Sequence, residues 1–128
     1  MIWSLLLSVF LGFLIGIERE SKHKSVGIRT LSLITLGSTI YTLISIYHFS
    51  ADPTRVIAQI VSGIGFLGAG IIFKSGNSII GLTTAATVWT SSAIGVLVGL
   101  GLYQLAFVST ILILIINTLF KYFKNEDS

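Results

Sequence analysis

The chain is 128 residues long, 53% apolar and only 10% charged, with a formal net charge of +3 and no cysteine. A soluble domain carries about 25% charged residues, so this composition excludes an ordinary cytosolic globular protein, a disordered chain and a nucleic-acid binder. Disulfide frameworks, zinc–thiolate sites and thiol nucleophiles go with the missing cysteines, and a mean hydropathy of +0.95 leaves a small integral membrane protein.

A helix needs about 20 apolar residues to cross the hydrocarbon core. Five such stretches follow one another, at about 1–17, 30–47, 53–73, 83–100 and 102–120. Lipid cannot hydrate an open backbone, and the runs are too long and even for barrel strands. The expected fold is therefore an all-α integral membrane bundle of about five transmembrane helices. Residues 1–128 read as one transmembrane domain without a linker, and no C-terminal soluble domain is expected. The first stretch has no basic residue ahead of it, so it reads as a retained span rather than a signal peptide. With five spans, Arg19, Lys22, Lys24, Arg29, Lys74, Lys121 and Lys124 share one side and Arg55 stands on the other. Basic residues mark the cytoplasmic face, which places the N-terminus outside and the C-terminus in the cytoplasm.

At the end of the first span, Gly12 and Gly16 form a GxxxG pair suited to close helix packing. Glu18 and Arg19 follow, and Glu18 is the acid nearest the bilayer. It is either a solvated helix end or part of an ionic cluster with Arg29 and Lys74, which flank the next spans at the same depth. The second span carries a hydroxyl stripe of Ser32, Thr35, Thr39 and Thr42. Such hydroxyls bond back to their own helix, glue neighbouring helices or, facing a second stripe, line a narrow polar path.

The third span opens with Asp52 before Pro53, the pattern of a helix start. Asp52 is a cap or a cation contact at the outer mouth, and Arg55 one turn on pairs with it or with lipid phosphate. Gln59, deeper in, needs an interhelical hydrogen bond or a substrate contact. Gly63, Gly65 and Gly68 match GxGxxG, with Gly70 two residues on, but without a preceding strand the match is no nucleotide fingerprint. Helix packing is the first reading, and a kinked or broken helix exposing backbone to an ion is the second.

Ser75-Gly76-Asn77-Ser78 is a turn signal. Thr83 and Thr84 then open the fourth span, where free N–H groups face the basic side and suit an anion. With Glu18, Arg19, Arg29 and Lys74 they make up a candidate functional polar cluster. The fourth span carries its own hydroxyls at Thr83, Thr87, Thr90 and Ser91, and Trp89 near its middle is expected to pack inside the bundle. Gly99-Leu100-Gly101 is the expected turn into the fifth span. No HExxH, Ser/His/Asp set or paired intramembrane carboxylates occur, so neither an enzyme nor a cofactor is expected. Mg²⁺ requires oxygen ligands, for which Asp52 and Glu18 are the candidates.

GIERESKHKSVGIRT, DPTRVIAQIVSGIGFLGAG and GLTTAATVW, in this order, resemble the membrane domain of the MgtC/SapB family. The likeness runs from about Gly12 to Tyr103. It implies a bacterial inner (plasma) membrane protein of five spans, linked to growth at low magnesium and to virulence. It further implies a regulator that restrains membrane partners, notably the F-type ATP synthase. The motif positions carried over are Glu18, Arg19, Arg29, Asp52, Arg55, Gln59, Gly63, Gly65, Gly68, Gly70, Thr83, Thr84 and Trp89. Many members add a C-terminal ACT-like domain, and here Ile80 stands where a basic residue is common.

Two functions compete with a pure scaffold role: a non-enzymatic regulator acting by helix contact, and an ion (Mg²⁺) transporter or channel. The expected partners are the lipid bilayer, a membrane protein and a second copy of the chain; the dimer rests on Gly12/Gly16 and the glycine run.

Overall fold

The computed structural model describes residues 1–49 and 52–120. Five α-helices follow in order: α1 (Ile2–Ser21), α2 (Ile28–Ile44), α3 (Thr54–Ile71), α4 (Leu82–Gly99) and α5 (Tyr103–Leu119). A π-helical turn, Ser45–Phe49, prolongs α2, and a short hairpin of β1 (Phe73–Ser75) and β2 (Ser78–Ile80) joins α3 to α4. Four of the helices are long and apolar enough to cross a membrane, and α5 is a shorter apolar helix of 17 residues.

Cross-helix contacts give the topology. Thr35 donates to the Ser8 carbonyl while Gly16 lies on Ile28, so α1 and α2 run antiparallel. Ser4 bonds Tyr103 at one end and Lys22 reaches the Asn117 carbonyl at the other, so α1 and α5 run parallel. Helix α4 packs against all four others and is the centre of the bundle. The end holding the last turn of α1, the first turns of α2 and α4 and the hairpin is the basic end of the molecule.

The interior is not the greasiest part. Leu11, Ile15, Leu31, Val88, Ile94 and Val98 are closed off, but so are Ser8, Thr35, Thr39, Thr42, Thr84 and Ser91. Between helices in lipid the apolar side chain gains nothing by leaving the tails, so small and hydroxyl-bearing residues take the seams. In α5, the most apolar helix, only Ala106, Thr110, Ile113 and Asn117 are buried, one stripe at helical spacing.

Glycines set the tightest approaches. A methyl group on Gly12 would stand 2.7 Å from the Leu31 carbonyl, and one on Gly16 2.5 Å from the Ile28 Cα. Gly95 and Gly99 of α4 do the same against α2, with methyls 2.6 Å from the Ser38 and Thr42 Cβ atoms. Gly12 and Gly16 therefore serve α1–α2 packing inside one chain, which removes them as grounds for a dimer.

Several element ends differ from the sequence expectation. Helix α1 runs past residue 17 to Ser21, because Glu18 pairs with Lys22 one turn on and keeps the charged turn helical. Helix α3 stops at Ile71 rather than Phe73, since Ile72 is already extended and Phe73 pairs with Ile80 in the hairpin. The turn itself lies where Ser75-Gly76-Asn77-Ser78 places it. Gly76 adopts φ +61 as the first central residue of the two-residue loop, where a II′ turn calls for glycine. The tail from 121 onward, with Lys121 and Lys124, lies outside the described residues.

Two helices end in Schellman motifs. After α4, Leu102 N–H bonds the Leu97 carbonyl and Gly101 N–H that of Val98, with Gly101 left-handed. After α1, Lys24 N–H bonds the Arg19 carbonyl and His23 N–H that of Glu20, but the left-handed residue is His23 at φ +56. That conformation costs an L-residue about 1 kcal/mol or more. His23→Gly is therefore expected to raise stability by up to about 1 kcal/mol, read as a higher midpoint in thermal unfolding in detergent.

Candidate functional site

The last turns of α1 gather the buried charges. Glu18 and Arg19 are 9% and 2% exposed, an unusual depth for either side chain. Arg19 grips the Glu18 carboxylate through two nitrogens, Nε at 2.9 Å and Nη2 at 3.1 Å, the fork geometry that makes an arginine–carboxylate pair strong. Lys22, one turn on, places Nζ 2.9 Å from Oε2 of the same carboxylate, the oxygen that Nη2 also contacts. One acid thus neutralises one of two cations, and the cluster keeps a net positive charge.

The cluster also fastens three helices together. Arg19 Nη1 donates to the Thr84 hydroxyl at 3.4 Å in the first turn of α4, and Lys22 Nζ donates to the Asn117 carbonyl at 2.8 Å near the end of α5. Asn117 closes the ring by donating from Nδ2 to the Thr87 hydroxyl at 3.1 Å. Beside it, the Glu20 carboxylate accepts the Ile28 N–H at 3.2 Å and so satisfies an orphan donor at the start of α2. Gly27 lies flush against that carboxylate.

The structure therefore brings together Glu18, Arg19 and Thr84 of the expected polar cluster. It does not bring in Arg29 or Lys74: both are exposed, on the first turn of α2 and on β1. Lys22 takes the place assigned to them. Its signal is present in the sequence, since Glu18 and Lys22 stand at i,i+4 on one helix. Thr83 is half-buried, and its carbonyl accepts the Thr87 hydroxyl. Asn117, also unforeseen, is a lone amide near the end of the fifth apolar run.

At the opposite end, Asp52 accepts the Thr54 N–H and the Thr54 hydroxyl and so orders the first turn of α3. The Thr54 hydroxyl first and its amide second hold the Asp52 carboxyl below the usual carboxylate range. Arg55 and Gln59 are exposed on α3. Gln59 lines an open groove of about 570 Å³ between α2 and α3, with Gly37, Ser38, Tyr41 and Gly63. Asp52 and Glu18 stand at opposite ends of the bundle and do not share an ion. Among the described residues no three His, Asp or Glu side chains gather in a metal-binding group.

The hydroxyl stripes act as seams. Thr39 and Thr42 bond the carbonyls of Thr35 and Ser38, and Thr87 and Thr90 those of Thr83 and Ala86, each one turn back. Thr35 and Thr39 also reach across, to Ser8 of α1 and Gly95 of α4.

The residues expected to pack helices divide. Gly12, Gly16 and Gly68 do so, Gly68 lying against the Ala85 carbonyl of α4. Methyl groups on Gly63, Gly65 or Gly70 would meet no atom within 4 Å outside their own helix backbone. Trp89, expected inside, is 52% exposed. Four neighbouring helices cover α4 on most sides, and Leu82, Ala86, Trp89 and Ala93 form the one stripe left outward.

The MgtC family model matches residues 5–126. A protein named Protein MgtC from Brucella abortus (strain 2308) is 51% identical over 112 residues, covering 87% of this chain and 47% of the relative. Protein MgtC from Salmonella typhimurium (strain 14028s / SGSC 2262) is 47% identical over 120 residues, covering 94% of this chain and 52% of the relative. The chain spans about half the length of the curated relatives it matches. No solved structure matches.

Proposed function

The chain belongs to the MgtC family, and from that premise we propose that it is an inner-membrane protein of magnesium homeostasis or membrane energetics that works by helix contact. Its C-terminus faces the cytoplasm, and its partner is another membrane protein, with the F-type ATP synthase as the one the family resemblance implies. It performs no catalysis.

The observation that supports this reading is the bare face of α3. Of its 18 residues only Ile64 and Gly68 are buried. A glycine inside a helix costs about 1 kcal/mol relative to alanine. Gly63, Gly65 and Gly70 carry that cost without easing any contact inside the chain. A close backbone approach from another helix would use them. The carrier reading has less support. The Glu18 carboxylate is engaged on both oxygens, and most of the stripe hydroxyls bond carbonyls of their own helices.

Gly70→Leu is the probe, because Gly68 is already in use against α4. In tagged protein captured from native membranes, Gly70→Leu is expected to lose its co-captured partner at least tenfold while its unfolding midpoint stays at or above that of the wild type. The purified protein is expected to move no Mg²⁺ across liposomes. Mg²⁺ flux that disappears in Asp52→Asn would overturn this reading in favour of a carrier.

A further inference from the structure

A second groove, of about 640 Å³, runs between α1 and α2 on the outside of the bundle. We propose that it binds one anionic phospholipid, with the phosphate on Arg29 and an acyl chain against Phe10 and Phe13.

The groove has an amphipathic layout that matches such a lipid. Leu6, Phe10 and Phe13 line one wall and Leu33 and Leu36 the other, while Arg29 stands at the basic end. Arg29 is exposed, in the first turn of α2. From Arg29 to Leu36 the helix rises about 10 Å, most of the depth of one leaflet in a core about 30 Å thick. The valley is held in shape from beneath, because Gly12 and Gly16 bring α1 against α2.

The charges nearby favour an anionic headgroup. A guanidinium pairs with phosphate through two parallel N–H bonds. Lys22 is committed to Glu18 and Asn117, and the Glu20 carboxylate to the Ile28 amide. Among the described residues neither Glu20 nor any other acid lines the groove, and Arg29 supplies its positive charge. Basic pockets between transmembrane helices hold anionic headgroups in this way. The lipid would act as a wedge over the α1–α2 seam, next to the buried charge cluster.

Native mass spectrometry of the full chain, released from membranes of mixed phosphatidylglycerol and phosphatidylethanolamine, tests the site. The expected result is one retained phosphatidylglycerol, reduced at least tenfold in Arg29→Gln and unchanged in Lys74→Gln, a second exposed cation that does not line the groove. Phe13→Ala keeps the cation and is expected to weaken retention several-fold; folding of each variant is followed by circular dichroism. Should Arg29→Gln misfold, Phe13→Ala and Arg29→Lys decide the matter, with retention weakened several-fold in the first and kept in the second. Retention that ignores Arg29, or falls equally in Lys74→Gln, overturns the proposal. So does displacement by millimolar inorganic phosphate, which would make this a plain anion site. A dimer that forms in place of the lipid complex and is lost in Arg29→Gln would assign the groove to a second copy.

Discussion

Glu18→Ala is expected to destabilise the bundle by about 3–5 kcal/mol. Arg19 is 2% exposed and loses both carboxylate contacts in this variant, keeping the Thr84 hydroxyl among its partners. A buried charge stripped of its counter-ion is worse than no charge at all. The double variant Glu18→Leu with Arg19→Met removes both members of the pair and leaves Lys22, 18% exposed, to extend toward solvent. It is expected to lie within about 1 kcal/mol of the wild type. Unfolding in detergent or by steric trapping measures both. A loss below about 1 kcal/mol in Glu18→Ala would mean that the cluster is solvated like an ordinary surface pair.

The second large effect is at the glycine seams, and its sign depends on position. Gly12→Ala and Gly95→Ala are each expected to cost about 1–3 kcal/mol or more. The added methyl meets backbone atoms of α2, Leu31 O at 2.7 Å in the first case and the Thr35 carbonyl in the second. Backbone cannot yield as a side-chain tip does, so whole helices must separate. Gly63→Ala and Gly70→Ala meet nothing and are expected to gain up to about 1 kcal/mol each from helix propensity. The same melting experiment reads all four. Uniform destabilisation would mean that α3 is packed inside the chain after all. Stabilisation at Gly63 and Gly70 with loss of partner capture would tie the two glycines to an external contact.

Much of the site was partly visible in the residues themselves. Glu18 at the edge of the apolar run, Arg19 beside it and Thr84 at the start of the fourth run were all evident, but depth alone drew Arg29 and Lys74 into the same group. Depth puts residues at one level without saying on which side of which helix they stand. Arg29 lies on the groove side of α2, away from the seam with α4, and Lys74 is carried off on a hairpin. The i,i+4 relation of Lys22 to Glu18 is local and legible. The approach of Asn117 from α5 is not, because nothing local aligns α5 with α1. Gly95 and Gly99 form a GxxxG pair as plain as Gly12 and Gly16, though Gly99 also reads as the start of the turn at 99–101.

What the residues determined by themselves were the properties set by the lipid: the helical class, the number of apolar runs, the turns at 75–78 and 99–101, and the grouping of basic loops on one side. These follow from hydrophobic length and backbone hydrogen bonding, which act on each segment separately. Only the tertiary structure decided which glycines touch another helix, that Trp89 faces outward, and that α4 is the hub while α3 is left nearly bare. In a bilayer every outward face is already apolar, so hydrophobicity cannot choose among faces. Shape, small residues and a few hydrogen bonds make that choice, and they take effect only once the helices meet.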